Sequence, residues 1–219
     1  MKKLIAAIAT FLLSLSALCA QGSPSFVNVG PYFDFKAGIN GGNVQSGRKN
    51  GVGFYPIPDF GFRGFLPLKS DYSLGLSCDL GYSSYSYALI DVRNDKKYDF
   101  NYGYITLNPC FFISYAGFGF NFGYPLHADF GESISTDKIN ILAEFQLMGY
   151  YPIMYDEEVE MSVFAKLGYM LTGVYKEYDE DDPLKGKVPD LPPDETTNVF
   201  NPRVLSLSVG LSYLFTLQY

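Results

Sequence analysis

The stretch Leu205-Ser206-Leu207-Ser208-Val209-Gly210-Leu211-Ser212-Tyr213-Leu214-Phe215-Thr216-Leu217-Gln218-Tyr219 decides the fold. From Leu205 every second residue is apolar and most are large, while those between are mostly small or polar. Successive side chains of a β-strand point to opposite faces. A strict period of two therefore places one face in an apolar medium and the other in a polar one.

The same alternation recurs upstream. Tyr72, Leu74, Leu76, Cys78, Leu80 and Tyr82 oppose Ser73, Gly75, Ser77, Asp79, Gly81 and Ser83. Phe118, Phe120, Phe122, Tyr124 and Leu126 oppose Gly119, Asn121 and Gly123. Ile141, Ala143, Phe145, Leu147 and Tyr151 oppose Glu144, Gln146 and Met148, and Met161 to Leu171 alternates against Ser162, Lys166, Gly168 and Thr172. Weaker strands are predicted over Tyr32 to Asn40 and Phe54 to Leu68, the second starting near a rim because Pro56 and Pro58 cannot donate to a ladder. A further strand over Tyr98 to Tyr115 is placed by a hairpin turn at Ala116-Gly117. That turn sets Tyr115 opposite Phe118 and Phe111 opposite Phe122; likewise Leu66 is set opposite Leu74 and Phe62 opposite Cys78.

Eight antiparallel strands result, with short connections (Lys69 to Asp71, Ala116-Gly117, Met154 to Glu158) alternating with generally longer ones (Gly41 to Val52, Val92 to Lys97, His127 to Lys138, Lys176 to Asn201). No apolar run after the first twenty residues approaches the ~20 residues of a spanning helix, so membrane insertion must be by strands in a closed sheet. The predicted fold is all-β: an eight-stranded antiparallel up-and-down transmembrane β-barrel. A soluble eight-stranded barrel would turn the Phe, Tyr, Leu, Ile and Met face inward. Its interior is just wide enough for side chains to fill, and that set overfills it, whereas the Gly- and Ser-rich face fits.

The N-terminus agrees. Met1-Lys2-Lys3, the apolar run Leu4 to Leu15 and the mainly small residues Ser16 to Ala20 read as a secretory signal peptide, leaving 21–219 as one barrel domain. Leu18 before Cys19 argues against a lipoprotein signal, which wants a small residue there. Aromatic residues make up 17% of the chain with no Trp, and Tyr and Phe near strand ends suit interfacial girdles. Removing Lys2 and Lys3 from the 16 basic residues leaves 14 against 23 acidic, a charge of −9, which argues against nucleic-acid binding. Barrels of this kind carry short periplasmic turns and long extracellular loops, so both termini are expected in the periplasm.

Seven charged residues fall on the face assigned to the lumen: Asp34, Lys36, Asp59, Arg63, Asp79, Glu144 and Lys166. Buried charge persists only when paired or hydrated, so mixed signs predict an internal network and a plugged barrel, with a narrow or gated pore as the alternative. Cys78 falls outward and Cys110 inward, which predicts two free thiols. His127, with Asp129, Ser133 and Ser135 nearby, has the residue types of a rim catalytic group, but without a recognisable local motif it reads as a solvated loop residue. Asp179-Glu180-Asp181-Asp182 lacks the glycine and distal glutamate of an EF-hand loop and reads as a solvated acidic loop. No catalytic residue, metal site or cofactor is expected.

Two resemblances extend this reading. Ser208, Gly210, Tyr213 and Phe215, with Tyr219 as the final aromatic, resemble the β-signal that the outer-membrane insertion machinery recognises, which implies that machinery as an assembly partner. Asn101-Tyr102-Gly103-Tyr104-Ile105-Thr106-Leu107-Asn108-Pro109 and the aromatic hairpin to Pro125 resemble the "outer membrane protein beta-barrel domain" family, often labelled porin-family or PorT-like, with Thr106 where the family carries an acidic residue. The resemblance implies a small Gram-negative outer-membrane barrel of the OmpA/OmpX size class, in contact with outer-membrane lipids and lipopolysaccharide, with its extracellular partner unspecified. Adhesion, permeability and secretion-accessory roles are all represented among such relatives, and some eight-stranded barrels modify lipid A. The expected work here is non-enzymatic: a scaffold with long extracellular loops serving envelope integrity or surface interaction.

Overall fold

The computed structural model describes residues 26–44, 47–69, 73–131, 133–156, 158–176 and 201–218. The proposed leader, the acidic run Asp179 to Asp182 and Tyr219 lie outside them. Eight long strands form the wall: β1 (Phe26–Asn40), β2 (Asp59–Pro67), β3 (Leu74–Asp91), β4 (Lys97–Ile113), β5 (Ala116–Asp129), β6 (Leu142–Tyr155), β7 (Val159–Met170) and β8 (Val204–Gln218). Each pairs antiparallel with its chain neighbours, and β1 closes on β8 in a ladder from Phe26 opposite Gln218 to Asn40 opposite Val204. Closure removes the sheet edge. The start of β1 and the end of β8 lie at the same end as the short connections that follow β2, β4 and β6, and the strand ends joined by the longer connections lie at the other.

The barrel is apolar outside and polar inside. Phe35, Phe62, Leu80, Ile105, Phe120, Leu147, Leu167 and Leu207, one from each strand, are all exposed, whereas Asp34 and Glu144 are 0% exposed. An apolar surface contiguous around the whole wall is far larger than a water-soluble monomer carries.

Two predicted registers are corrected. The β4–β5 turn is Ser114-Tyr115, two residues earlier than expected, so Phe111 faces Phe118 and Ile105 faces Tyr124. Ser114 takes the left-handed conformation (φ 53°), its N–H bonded to the Ser73 carbonyl at 2.9 Å. Gly117 is therefore free for another role: it lies opposite Phe112, whose ring would be 2.7 Å from any Cβ there. Between β2 and β3, Leu66 faces Leu76 rather than Leu74, which brings Phe62 opposite Leu80 and stacks Phe60 on Tyr82 at 5.5 Å. Both slips are even-numbered, so every side chain keeps its face.

Strand extents differ too. β1 begins at Phe26, and the strand expected from Phe54 is interrupted: Gly53–Phe54 pairs with β1 on its own, and β2 starts at Asp59 after the two prolines. β3 and β4, at 18 and 17 residues, rise past the ring at the loop end, where Arg48–Gly51 pairs with β3.

Candidate functional site: a filled lumen

The inward positions of β1, β2, β3 and β7 converge on one ion cluster. Arg63 and Asp79 are register partners and form a bidentate pair, Nε to Oδ1 at 2.7 Å and Nη2 to Oδ2 at 2.8 Å. Lys166 reaches across from β7 to Asp79 Oδ2 at 3.2 Å and to Asp34 Oδ2 at 3.4 Å. Rings close the cluster: the Arg63 guanidinium lies 4.3 Å from the centroid of Phe164 and the Lys166 ammonium 4.8 Å from that of Tyr32. Asp34 has the ionic contact alone; neither of its oxygens has a hydrogen-bond partner among the described residues.

Beside it, Lys36 pairs with Asp59 at 2.6 Å and donates to Ser83 Oγ at 2.6 Å. Asp59 accepts from the Ser83 hydroxyl and from both the N–H and hydroxyl of Ser84. The first carboxylate of β2 thus satisfies β3 where the regular ladder ends. Lys36 also sits 3.9 Å over the Tyr85 ring, and Tyr85 donates its hydroxyl to Glu144.

Glu144 is held differently. It accepts from Gln146 Nε2 at 2.6 Å, Ser206 Oγ at 3.0 Å and Asn121 Nδ2 at 3.3 Å as well as from Tyr85, and no ion pair reaches it among the described residues. Four neutral donors replace a counter-ion. The network runs on through Asn108, which donates to Gln146 at 2.5 Å and accepts from the Cys110 thiol. Gly168 forms the floor beneath it: a Cβ there would stand 2.0 Å from Glu144 Oε1 and 2.6 Å from Ser206 Oγ. Because four hydrogen bonds pin that carboxylate, Gly168→Ala is expected to cost about 1–3 kcal/mol as an overpacked site does, read as a lowered urea midpoint of the folded barrel; an unchanged midpoint would mean that Glu144 is free to swing away.

Of the seven charged positions inferred from alternation, the structure buries all seven. It brings Asp34, Arg63, Asp79 and Lys166 together, sets Lys36 with Asp59 separately, and leaves Glu144 among amides and hydroxyls. Sequence reasoning missed Glu160, buried near the turn end and bonded by Ser162 at 2.6 Å and Asn28 at 3.4 Å, although its even number puts it on the same face as Ser162 and Lys166.

Rings fill both ends. At the loop end Tyr85, Tyr87, Phe100, Tyr102 and Tyr104 pack with Val174 and Tyr175, all at most 1% exposed. Their hydroxyls pair with one another, Tyr87 with Tyr102 at 3.4 Å and Tyr102 with Tyr175 at 2.6 Å. Tyr175 is clamped by Asn140 and Asn201, whose amides donate to its carbonyl at 2.7 and 2.6 Å. Tyr and Phe near strand ends suit outer girdles in general, but these rings lie inside, Tyr85 and Tyr87 continuing the inner face of Asp79 and Ser83. At the turn end Phe65, Phe112, Met148 and Leu214 form a second cluster. Beside it lies a cavity of about 10 Å³, lined in part by Arg63, Ser77, Glu160 and Ser212, close to the minimum for one water.

The remaining sequence candidates sit elsewhere. His127 belongs to β5 rather than a loop: the ladder shifts between Gly103 and Tyr104, so Leu126 and His127 both point outward, as an extra residue in a bulge requires. Its ring stacks on Tyr82 at 6.0 Å and 10° and leans on Tyr55, and none of Asp129, Ser133 or Ser135 hydrogen-bonds it. Cys78 and Cys110 are free, on opposite faces. In β8, Gly210 lies against β1, where a Cβ would meet the Phe33 carbonyl at 2.2 Å; Ser208 faces Lys36 and Lys166 across the neighbouring strands; Tyr213 and Phe215 pack edge to face at 5.1 Å outside. On the loop surface, the Lys49 ammonium 2.8 Å from Asp95 holds that carboxyl below the usual carboxylate range; so exposed a pair adds little to stability.

No family model matches the chain, the PorT-like family included, and no curated protein matches it. Among solved structures, the crystal structure of the outer membrane protein OprG from Pseudomonas aeruginosa is similar, with a TM-score of 0.44 and 10% identity over 90% of this chain and 98% of that one. The barrel assignment rests on this chain's own closed ladder.

Proposed function

We propose that the chain is an integral outer-membrane β-barrel of a Gram-negative envelope that works as a non-conducting scaffold, presenting its longer connections outside and keeping both termini in the periplasm. The observation that carries this reading is the filled lumen inside an apolar wall: ion pairs cross the middle, and buried rings pack each end. An eight-stranded barrel has little interior to spare, and here side chains occupy it. The secretory leader and the β-signal resemblance at Ser208, Gly210, Tyr213, Phe215 and Tyr219 support export and insertion by the barrel-assembly machinery, with outer-membrane lipid and lipopolysaccharide as the surrounding partners. Envelope integrity or surface interaction is the role that fits.

Conductance tests the reading. Refolded mature protein that shows heat-modifiable migration is expected to give no single-channel openings in planar bilayers. Discrete, reproducible openings from the same preparation would replace the scaffold with a narrow pore.

A further inference from the structure

Polar atoms left without partners are unevenly distributed along the interior. Among the inward-facing described residues, Asn28 Oδ1, both oxygens of Asp34, Ser77 Oγ, Asn121 Oδ1 and Ser208 Oγ are buried with no hydrogen-bond partner, while the Tyr82 hydroxyl and His127 Nε2, also buried and unpartnered, lie on the outer side of the wall. All the inward ones belong to the turn-side and central part of the lumen: Asn28 lies opposite Phe65 and Thr216, Ser77 opposite Phe65 and Cys110, Asp34 opposite Asp59, Ser208 opposite Lys36, and Asn121 opposite Glu144. Beyond Glu144, in the ring cluster at the loop end, the Tyr87, Tyr102 and Tyr175 hydroxyls satisfy one another. Buried polar groups are almost always partnered by protein or by ordered water, and a buried water bridges roughly two to four such groups. The turn-side cavity places Ser77, one of the unpartnered groups, beside Glu160, which accepts from the Ser162 hydroxyl and the Asn28 amide.

We propose that the lumen is a blind, one-sided vestibule for water and protons: a file of ordered water enters through the turn-side cavity at Ser77 and Glu160, reaches Asp34, Ser208 and Asn121, and stops beneath the tyrosine cluster. The cavity of about 10 Å³ admits nothing larger than water. The Glu160 and Asp34 carboxylates, with no complete set of protein donors, are the acceptors that hold the file in place. Solvent on the turn side then communicates with the buried ion cluster, and solvent on the loop side does not. The inference rests on the closed-lumen reading. Conductance tests that reading alone, and the location of internal water tests this one.

The experiment is the detection of water–protein nuclear Overhauser contacts in the folded barrel in nanodiscs, for the wild type and for Ser77→Val, which puts apolar atoms into the entry cavity. Wild type is expected to show long-lived water contacts at Asn28, Ser77, Asp34 and Ser208 and none at the rings of Phe100, Tyr102 and Tyr175. In Ser77→Val the contacts at Asp34 and Ser208 are expected to weaken severalfold. A dry interior at Asp34 and Ser208, water among the loop-end rings, or undiminished central contacts in a folded Ser77→Val barrel would each overturn the proposal. Should Ser77→Val not fold, the wild-type contact pattern still decides it.

Discussion

Asp79→Asn is expected to lower the unfolding free energy of the barrel by about 3–5 kcal/mol, the loss typical when one partner of a buried ion pair is removed. Asp79 is 2% exposed and is the shared anion of two cations, Arg63 in bidentate contact and Lys166 at 3.2 Å. An asparagine keeps the shape and one acceptor but none of the charge. Two buried cations would then face each other with Asp34 as the sole carboxylate of the cluster, and Asp34 already lacks hydrogen bonds. The Phe164 and Tyr32 rings that flank the cations soften this by a kcal/mol or two, about what desolvated cation–π contacts provide.

The measurement is a urea titration of the folded protein in lipid, followed by heat-modifiable migration. A companion variant separates charge from packing. Arg63→Met combined with Asp79→Leu removes the bidentate pair as a unit and leaves Lys166 with Asp34, and replacing a whole buried pair by apolar residues is often neutral. The double variant is therefore expected to be more stable than Asp79→Asn. Equal losses in both, or no loss in Asp79→Asn, would show that the cluster is hydrated enough for each charge to stand alone.

Alternation made the two faces of the wall legible but was blind to register. Moving Phe111 from Phe122 to Phe118, or Leu66 from Leu74 to Leu76, leaves every side chain on its own face, so periodicity cannot detect the slip. Gly117 was the misleading signal: glycine belongs in turns, yet here it makes room for the Phe112 ring while Ser114 takes the positive φ. His127 was misplaced for the opposite reason, because a single extra residue at the bulge changes face in mid-strand, and nothing in the spacing after Pro125 announces it. The inner tyrosines were hidden by their chemistry. Tyr85 and Tyr87 look like wall aromatics, but the strand does not change face after Ser83, and the small Ser84, Ser86 and Ala88 on the other side are buried too, Ser84 against Ile57 and Asp59, Ser86 against Gly53 and Ala88 beside its ladder partner Gly51. The charged positions follow from parity; their pairing depends on strand stagger across the lumen, which sequence spacing does not carry. Glu144 illustrates this, since nothing local separates a carboxylate that will meet a lysine from one that will meet four neutral donors.

Gly81→Val is expected to be the most damaging change in the wall itself. Gly61 and Gly81 are register partners in β2 and β3, and the two strands approach so closely there that neither has space for a side chain. A Cβ on Gly81 would lie 2.3 Å from the Phe60 carbonyl oxygen and 2.7 Å from the Gly61 Cα; one on Gly61 would lie 2.3 Å from the Leu80 carbonyl oxygen. These are backbone atoms, which cannot rotate out of the way as the end of a side chain can. The strands would have to part, and β2, at nine residues, has the least remaining ladder with which to resist. Parting them also pulls Arg63 from Asp79, two residues away on each strand, so the steric cost is compounded by the ionic one. Overpacking alone costs about 1–3 kcal/mol, and disturbing the buried pair adds to it, enough together to leave most of the chain unfolded in a marginally stable domain. Gly81→Val is expected to yield little or no heat-modifiable species under conditions that fold the wild type, with Gly81→Ala intermediate. Wild-type yields and an unchanged urea midpoint for the valine variant would mean that β2 and β3 are farther apart than the structure places them.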